Sequence, residues 1–495
     1  MVPLQLHVYG LVAFTLGLRF IPLYAVSPAS KSHVRGGNAR IPRRTRRGIT
    51  AVDSRALTGS GTLPVRSQRS TPVRPIGGGT EPSLRFAARP DAMPTPSRGT
   101  PLPPRARARV RALIPQCLAL LGLAACGDST GTAPIPAYAP MATVVWNLEA
   151  RRVVTTTPLT SPAATRAYTM QSLAQRIVLA RIGDTLLTSP RAAMGYASSR
   201  LLTAMAPTQA AAIQVTLQSE LRQPTAGTPA ALAAGKTLGE FIADSLLRLR
   251  ASDTTALLGT VTLPAGQGVW VSAAGKLPVN PRWGEARPWL LSSAAAITVP
   301  PPPALSSPAF LTALAEVRQI SDTRTSAQVA IAGYWFYGLG TPTPPGYWNG
   351  VASDLCAHYR VTELQCATIL TTMNQAMADA GIVTWAAKYR YLLARPIQMD
   401  PAITMPITMP NHPSYPAAHS AYSSSAAVVL TWFFPREQPL LESWVKEANV
   451  SRIYGGLHYR FDVDASEALG RQVGALFVAT LPAAGLRPFR TIVRP

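Results

Sequence analysis

The stretch from residue 236 to residue 250 reads KTLGEFIADSLLRLR and repeats apolar side chains at the helical period. Its apolar residues fall on one face of a helix, namely Leu238, Phe241, Ile242, Leu246 and Leu249. Its charged residues fall on the opposite face, namely Lys236, Glu240, Asp244 and Arg248. The spacing predicts an amphipathic helix that buries one side against a core.

The same helical period recurs further along the chain. Residues 309–320 repeat it, and the run 362–395 reads as largely helical, with a potential break at Gly381. Strand-like alternation is scarce, although residues 258–264 and 268–273 could pair as a short hairpin. Proline clusters at 300–303 and 342–345 indicate long loops. We therefore expect a mostly α fold, packed as helical bundles.

The net charge of +24 over 495 residues is concentrated at the beginning of the chain, where residues 1–111 hold 19 basic and 3 acidic side chains. Charge placed there is weak evidence for nucleic-acid binding by the folded part, so we expect no nucleic-acid partner. Residues 29–109 are rich in Arg, Pro, Gly, Ser and Thr and cannot bury enough apolar surface to fold. We interpret residues 1–109 as a disordered basic extension or as sequence upstream of the true start.

A second N-terminal feature has the layout of an export signal. Four arginines at alternate positions from 105 to 111 precede the uncharged run ALIPQCLALLGLAA, which leads into Cys126. Residues 110–126 resemble the signal and lipobox of bacterial lipoproteins, which implies acylation of Cys126, a lipid anchor in the membrane and a location in the cell envelope. A buried helix that ends in a chance cysteine is the alternative. Residues 127–140 would then be a linker and 141–495 the folded domain.

That domain holds two further cysteines, Cys356 and Cys366. Outside the cytoplasm they could form a disulfide, and two ordinary buried thiols fit the sequence equally well. No uninterrupted apolar run of membrane-spanning length follows residue 126, so we expect no spanning helix.

Two cations lie close to a proline in the C-terminal third of the chain. Lys388 and Arg395 are seven residues apart, and Pro396 follows at once. Seven residues are nearly two helical turns, so both cations would project from one face, with Trp385 on the same side. The residue before a proline disfavours the α conformation, so we expect the helix to end at Arg395. Taken alone, a solvated surface stripe is the more ordinary explanation.

Further polar residues follow in two segments. His419 ends the segment HPSYPAAH and precedes an apolar helical stretch at 421–434, whose free N–H groups suit an anion. Arg452 precedes His458 by six residues, with two glycines between them that indicate a tight turn. His458 and Asp462 would share one face of a helix, with the carboxylate holding the Nδ1 proton and Nε2 free to attack. A helix cap for His419 and a structural contact for His458 are the simpler alternatives.

A zinc site built from the histidines is the competing interpretation of these segments. Lys388, Arg395 and Arg452 would repel a cation, whereas their charge suits a tetrahedral oxyanion.

The ordered set Lys388-x6-Arg395-Pro396, Pro416-x-x-His419 and Ser451-Arg452-x5-His458-x3-Asp462 resembles the superfamily shared by type 2 phosphatidic acid phosphatases and vanadium-dependent haloperoxidases. Upstream residues such as Trp146-Asn147, Glu316-Val317 and Tyr334-Trp335 look like its soluble bacterial haloperoxidase branch, so the resemblance spans roughly residues 141–485. It implies a helical-bundle fold and a site for vanadate, or for phosphate in the same place.

The resemblance also implies roles for individual residues. His458 would bind vanadium or attack phosphorus, and Asp462 would orient it. The cations Lys388, Arg395 and Arg452 would neutralise the equatorial oxygens, while His419 would act as acid and base from the far side. The expected reaction is halide oxidation by hydrogen peroxide. The alternatives are hydrolysis of a phosphate ester through a phosphohistidine, and non-catalytic binding of an oxyanion.

Two positions bear on how such a site would work. The family's Pro-Ser-Gly-His is here Pro416-Ala417-Ala418-His419, so the serine hydroxyl is missing and the glycine amide would be replaced by that of Ala418. The position seven before the acid–base histidine is Phe in chloroperoxidases and His in algal bromoperoxidases; here it is His412, and Trp385 takes the tryptophan position beside the halide. The resemblance thus hints at bromide or iodide, although His412 could simply bond a loop.

Overall fold

A computed structural model of the chain describes residues 140–183 and 187–490. The first half of this part contains helices α1 (Ala142–Thr156), α2 (Ser161–Ile182), α3 (Pro190–Met205), α4 (Ala210–Leu221), α5 (Pro229–Leu249) and α6 (Ser252–Leu258). The second half contains α7 (Pro308–Thr323), α8 (Ser326–Tyr334), α9 (Thr343–His358), α10 (Glu363–Tyr391), α11 (Pro396–Met399), α12 (Ala418–Phe433), α13 (Gln438–Tyr454) and α14 (Arg460–Thr480). Short 3₁₀ turns lie between several of them.

The predicted mostly α class is confirmed, because the described residues contain helices and no strand. The predicted basic extension, the signal segment, Cys126 and nearly all of the linker lie outside the described residues. Within the described residues, none of the helices is long and apolar enough to cross a membrane.

Four of the helices begin with a hydroxyl side chain and a proline. Thr160, Ser189, Thr228 and Ser307 each accept a hydrogen bond from a backbone N–H of the first turn, and proline takes the first helical position after the last three and the second after Thr160. The hydroxyl satisfies an amide that has no partner inside the helix, and the fixed φ of proline suits the first helical position. These local signals fix the starts of helices whose apolar faces then pack together.

The long helix α10 lies at the centre of the packing. It contacts α2 on one side and α12 on another, and α12 in turn packs along α14. The expected break at Gly381 is wrong, because α10 is continuous from Glu363 to Tyr391. A Cβ at Gly381 would lie 2.9 Å from the ring of Tyr422 on α12, so this glycine permits close packing and does not end the helix.

The short hairpin that residues 258–264 and 268–273 could have formed is absent. Val269 forms an isolated antiparallel bridge with Leu393 instead. The N–H of Trp270 donates to the carbonyl of Leu392, and that of Ala394 donates to the carbonyl of Gly268. The segment from Gly268 to Trp270 therefore provides hydrogen-bond partners for the backbone groups that follow the end of α10.

The loop assignment at 342–345 is also corrected, since Thr343, Pro344 and Pro345 form the first turn of α9. Proline has no amide hydrogen to lose at a helix start, so a proline pair there is compatible with helix. The proline run at 300–303 does lie in a loop.

Asp379 ties the long loop before α7 to the central helix. Its carboxylate is fully buried and accepts hydrogen bonds from the backbone N–H groups of Trp289, Leu290 and Leu291 at 2.6, 2.9 and 3.1 Å. Burial raises its pKa to about 6, while these three donors oppose the rise. The carboxylate thus fixes this loop against α10, on the same helix that carries Lys388.

Candidate active site

Three cations predicted from sequence are buried near one another at the ends of three segments. Lys388 lies in the last turn of α10, and Arg452 lies in the last turn of α13. Arg395 is not on the same helix as Lys388, contrary to the expectation, because α10 ends at Tyr391 and Leu392 takes a left-handed conformation with φ of 51°. Arg395 is instead the N-cap residue of α11.

The three cations are held by backbone carbonyls. Nζ of Lys388 donates to the carbonyls of Pro413 and Ser414, both at 2.8 Å. Arg395 donates to the carbonyl of Leu457 at 2.8 Å, and Arg452 to that of Trp335 at 2.6 Å. Carbonyls carry only partial charge, so they fix the positions of the cations without neutralising them.

His458 and Asp462 contact each other but do not share a helix. The chain turns at Gly456, which has a positive φ of 70°, and α14 begins only at Arg460. His458 therefore lies in the segment before the helix, and its Nδ1 lies 3.0 Å from Oδ2 of Asp462 in the first turn. The predicted pairing is formed, whereas the predicted common helix face is not.

Arg395 links two imidazoles. Its Nη1 lies 3.3 Å from Nε2 of His458, and its Nη2 lies 3.1 Å from Nδ1 of His412. The ring of His412 also lies 5.3 Å from the ring of Trp385, measured between centroids. His412 and Trp385 are thus beside the cations.

His419 is the second residue of α12 and faces Arg452. Its Nε2 lies 3.3 Å from Nη1 of Arg452 and 3.2 Å from the carbonyl oxygen of Phe336. The guanidinium can only donate and the carbonyl can only accept, so each bond requires a different protonation state of Nε2. Nε2 of His419 therefore has a hydrogen-bond donor nearby when it is unprotonated and an acceptor nearby when it carries a proton.

The cluster has an unbalanced positive charge. Burial lowers the pKa of Lys388 well below its usual range, and the neighbouring charge of Arg395 lowers it further. Burial also lowers the pKa of Arg395 to about 10 and that of Arg452 to about 9. The pKa of the Asp462 carboxyl is raised to about 7 by burial, which outweighs its hydrogen bonds and the nearby cations.

The histidines respond to the same environment. Burial lowers the pKa of His412, His419 and His458 well below the usual value, and the adjacent cations lower it further. These imidazoles are therefore neutral at pH 7, with one lone pair each.

The first turn of α12 adds backbone donors. Ala417 is its N-cap residue, and no side chain caps the helix there. The N–H of Ala417 donates to the carbonyl of Asp462 at 3.0 Å, whereas the N–H of Ala418 has no acceptor inside the helix. Ala418 thus retains the amide that an anion at this helix end would use.

These residues fit a tetrahedral oxyanion such as vanadate or phosphate. Three buried cations with a single carboxylate nearby are the donor set that an anion requires. Within the described residues, no group of three or more His, Cys, Asp or Glu side chains is placed to hold a metal ion.

Some contacts in this site have no counterpart in the sequence analysis. Ser414 is fully buried, and its Oγ lies 2.5 Å from Oδ2 of Asp462. The carbonyls of Trp335 and Phe336 contact Arg452 and His419. Ser414 lies within the segment HPSYPAAH, which was the only available signal, whereas a backbone carbonyl has no residue-specific signal at all.

The two cysteines are both free and buried. Cys356 lies on α9 and Cys366 on α10. Burial raises the pKa of Cys366, and a hydrogen bond with Cys356 raises it further. The structure therefore agrees with the second alternative, two buried thiols.

Comparisons of the sequence with known proteins find similarity over parts of the chain. The family described as "VCPO second helical-bundle domain" matches residues 435–483, a stretch that includes Arg452, His458 and Asp462. A "Non-specific acid phosphatase" of Providencia stuartii is 30% identical over 128 residues, which cover 25% of this chain and 50% of that protein. The chain thus matches about half the length of this curated relative.

Solved structures share the fold. A bacterial vanadium-dependent iodoperoxidase matches with a TM-score of 0.62 and 23% identity, over 69% of this chain and 96% of that one. A bacterial vanadium-dependent chloroperoxidase matches with a TM-score of 0.50 and 14% identity, over 70% and 94%. The chain therefore shares the helical fold of these bacterial vanadium-dependent haloperoxidases.

Proposed function

We propose that the protein is a vanadate-dependent haloperoxidase-type enzyme that oxidises halide with hydrogen peroxide. The observation that carries this proposal is the burial of three cations beside two neutral imidazoles, His458 and His419. When bound, vanadate would supply a Lewis acid that activates peroxide.

His458 would hold the vanadate through Nε2. Its Nδ1 lies 3.0 Å from Asp462, so the carboxylate keeps the ring oriented. Lys388, Arg395 and Arg452 would neutralise the anion's oxygens, and the N–H of Ala418 would donate to one of them. His419 would give and take a proton at Nε2, which has both a donor and an acceptor within 3.3 Å.

Bromide or iodide is the proposed halide. His412 and Trp385 lie with ring centroids 5.3 Å apart beside Arg395, where a polarisable anion would meet the positive charge of the guanidinium next to two aromatic rings. The missing hydroxyl at Ala417 should weaken anion binding by about 1.5–3 kcal/mol, the usual value of a hydrogen bond to a charged group.

Acid phosphatase activity is the second candidate, and the similarity to the acid phosphatase of Providencia stuartii favours it. Nε2 of His458 would attack phosphorus, and His419 would protonate the leaving alkoxide. Water would then hydrolyse the phosphohistidine, with His419 acting as base. Binding of an oxyanion without turnover is the remaining alternative, motivated by Ala417.

The test is one set of assays on the purified protein with and without vanadate. We expect peroxide-dependent bromination of a phenolic dye only in the presence of vanadate and bromide, and loss of this activity in His458→Ala. Release of phosphate from an aryl ester that His458→Ala abolishes, without halide oxidation, would assign the phosphatase. Phosphate binding without either reaction would assign the binding protein.

We also propose that Cys126 carries a lipid anchor that places the protein at the cell envelope, facing the periplasm or the exterior. The support is the order of basic segment, apolar segment and lipobox in residues 105–126. Growth with a labelled fatty acid should label the wild-type protein and not Cys126→Ser. Equal labelling of the wild-type protein and Cys126→Ser would contradict this proposal.

A further inference from the structure

One oxygen of Asp462 accepts three hydrogen bonds. Oδ2 is 2.5 Å from Oγ of Ser414, 3.0 Å from Nδ1 of His458 and 3.2 Å from the backbone N of Tyr459. The other oxygen, Oδ1, is buried and has no hydrogen-bond partner. The orientation of the carboxylate therefore depends on the three donors to Oδ2.

Ser414 is itself fixed by the end of α10. Its backbone N–H donates to the carbonyl of Leu393 at 2.9 Å, and its own carbonyl accepts from Nζ of Lys388 at 2.8 Å. The side chain is fully buried, with no exposed surface through which a water could replace its hydroxyl. Ser414 thus connects Lys388 with Asp462 through a single residue.

The protons in this cluster can be assigned by elimination. Nη1 of Arg395 can only donate, so Nε2 of His458, which lies 3.3 Å away, must accept and Nδ1 must carry the proton. Ser414 has one proton, and the 2.5 Å contact commits it to Oδ2 of Asp462. Its Oγ lies 3.4 Å from Nδ1 and offers that nitrogen only lone pairs.

We propose that Ser414 is a positioning residue that keeps the shared proton on Nδ1 of His458. Its hydroxyl and the N–H of Tyr459 hold the carboxylate so that Oδ2 faces Nδ1 and accepts its proton in a hydrogen bond. This favours the neutral tautomer with the proton on Nδ1 over the neutral tautomer with the proton on Nε2. Nε2 therefore keeps the lone pair that would bind the central atom of an oxyanion at this site. Only this last step rests on the proposed function; the placement of the proton does not.

Removal of the hydroxyl has a defined consequence. In Ser414→Ala, Oδ2 loses one of its three donors, and the tautomer with the proton on Nε2 becomes populated. That tautomer places a second donor opposite Nη1 of Arg395, so the contact between these two nitrogens should be lost. Ser414→Thr keeps a hydroxyl and should restore the wild-type tautomer.

The decisive measurement is the tautomer of His458 in full-length protein labelled with ¹⁵N-histidine, without vanadate, halide or peroxide. Long-range ¹H–¹⁵N correlations distinguish the two tautomers, and His458→Gln assigns the signal. We expect proton on Nδ1 in the wild type and in Ser414→Thr, and a mixture in Ser414→Ala. Ser466→Ala is the matched control, because Ser466 is a buried serine whose hydroxyl has no partner.

The proposal is overturned if Ser414→Ala keeps the wild-type tautomer. It is also overturned if Ser466→Ala changes the tautomer as much as Ser414→Ala does. Should Ser414→Ala fail to fold, Ser414→Cys provides the same test with a weak donor of similar size. A protein that shows the expected tautomers but turns over neither halide nor phosphate ester disproves the proposed function and leaves the assignment of Ser414 intact.

Discussion

Nη1 of Arg395 lies 3.3 Å from Nε2 of His458, so a permanent donor faces the imidazole nitrogen that the site needs as an acceptor. Arg395 reaches this position because α10 ends at Tyr391 and the chain reverses before Pro396. The same guanidinium contacts Nδ1 of His412 at 3.1 Å. Arg395 is therefore the residue that joins the two imidazoles on its side of the site.

Arg395→Met should lower the affinity for inorganic phosphate at least about tenfold, because a charge-assisted hydrogen bond contributes roughly 1.5–3 kcal/mol. The measurement is calorimetric titration with phosphate at low salt. Arg282→Ala is the control, since Arg282 is an exposed arginine that pairs with Glu285. Equal affinities of the wild type and Arg395→Met would contradict an anion site at this guanidinium.

Ala417→Ser should raise the affinity for phosphate or vanadate by about tenfold, because it adds one hydrogen bond to a charged oxygen. The new hydroxyl has a competing partner, the free N–H groups of the first turn of α12, since Ala417 is the N-cap residue.

The two outcomes can be separated by measuring both phosphate affinity and the midpoint of urea unfolding. Capping alone would stabilise the protein without phosphate by about 1 kcal/mol and leave the affinity unchanged. Ala426→Ser, which changes a buried alanine further along α12, is the control. Unchanged affinity in Ala417→Ser would mean that the hydroxyl does not reach the anion.

The buried imidazole of His419 should make the protein less stable in acid. Its folded-state pKa is lowered by burial and by Arg452, so below about pH 6.5 the unfolded chain binds a proton that the folded chain does not. Stability from this group is present above the unfolded pKa and is lost as the pH falls below it.

His419→Gln keeps a neutral polar side chain and removes this proton. Between pH 6 and pH 5, the free energy of unfolding should fall less steeply in the variant, by up to about 1.4 kcal/mol per pH unit. The comparison with wild type cancels the opposite contributions of Asp462 and Asp379, whose folded pKa values are raised. Urea titrations at each pH provide the measurement, and parallel curves would show that the pKa of His419 does not change on folding.

Gly239→Ala should destabilise the protein by more than about 2 kcal/mol, which is typical of overpacking in a core. A Cβ at Gly239 on α5 would lie only 2.3 Å from the carbonyl oxygen of Ala193 on α3. Gly333→Ala on α8 is the matched control, because its Cβ would meet nothing within 4 Å. That control should be neutral or stabilising by up to about 1 kcal/mol. Thermal and urea unfolding of both variants check the difference.

The sequence predicted the helices better than their ends. The apolar stripe of residues 236–250 identified α5, because a helix must bury that face. It could not show that α10 stops at Tyr391, since Leu392 adopts a left-handed conformation that leucine rarely takes. The assumption of one helix from Lys388 to Arg395 therefore failed, although both side chains are buried in the same site.

The residues of the site were predictable as a set, and their contacts were not. The spacing around His458 suggested a pair with Asp462, but the pair forms across a helix start and not along a helix face. Ser414 carried no distinguishing pattern, because its role depends on which side chain the fold places opposite it. Backbone acceptors such as the carbonyl of Phe336 belong to no residue type and can be found only in the structure.

The spacing of the site along the chain has a consequence for how the protein can change. The titratable side chains of the candidate site, from Lys388 to Asp462, come from one stretch of about 75 residues, and α1–α6 contribute none of them. Random mutagenesis should then yield two classes of damage. Substitutions in α1–α6 would be suppressed by a second, stabilising substitution elsewhere, whereas those between residues 388 and 462 would resist such suppression.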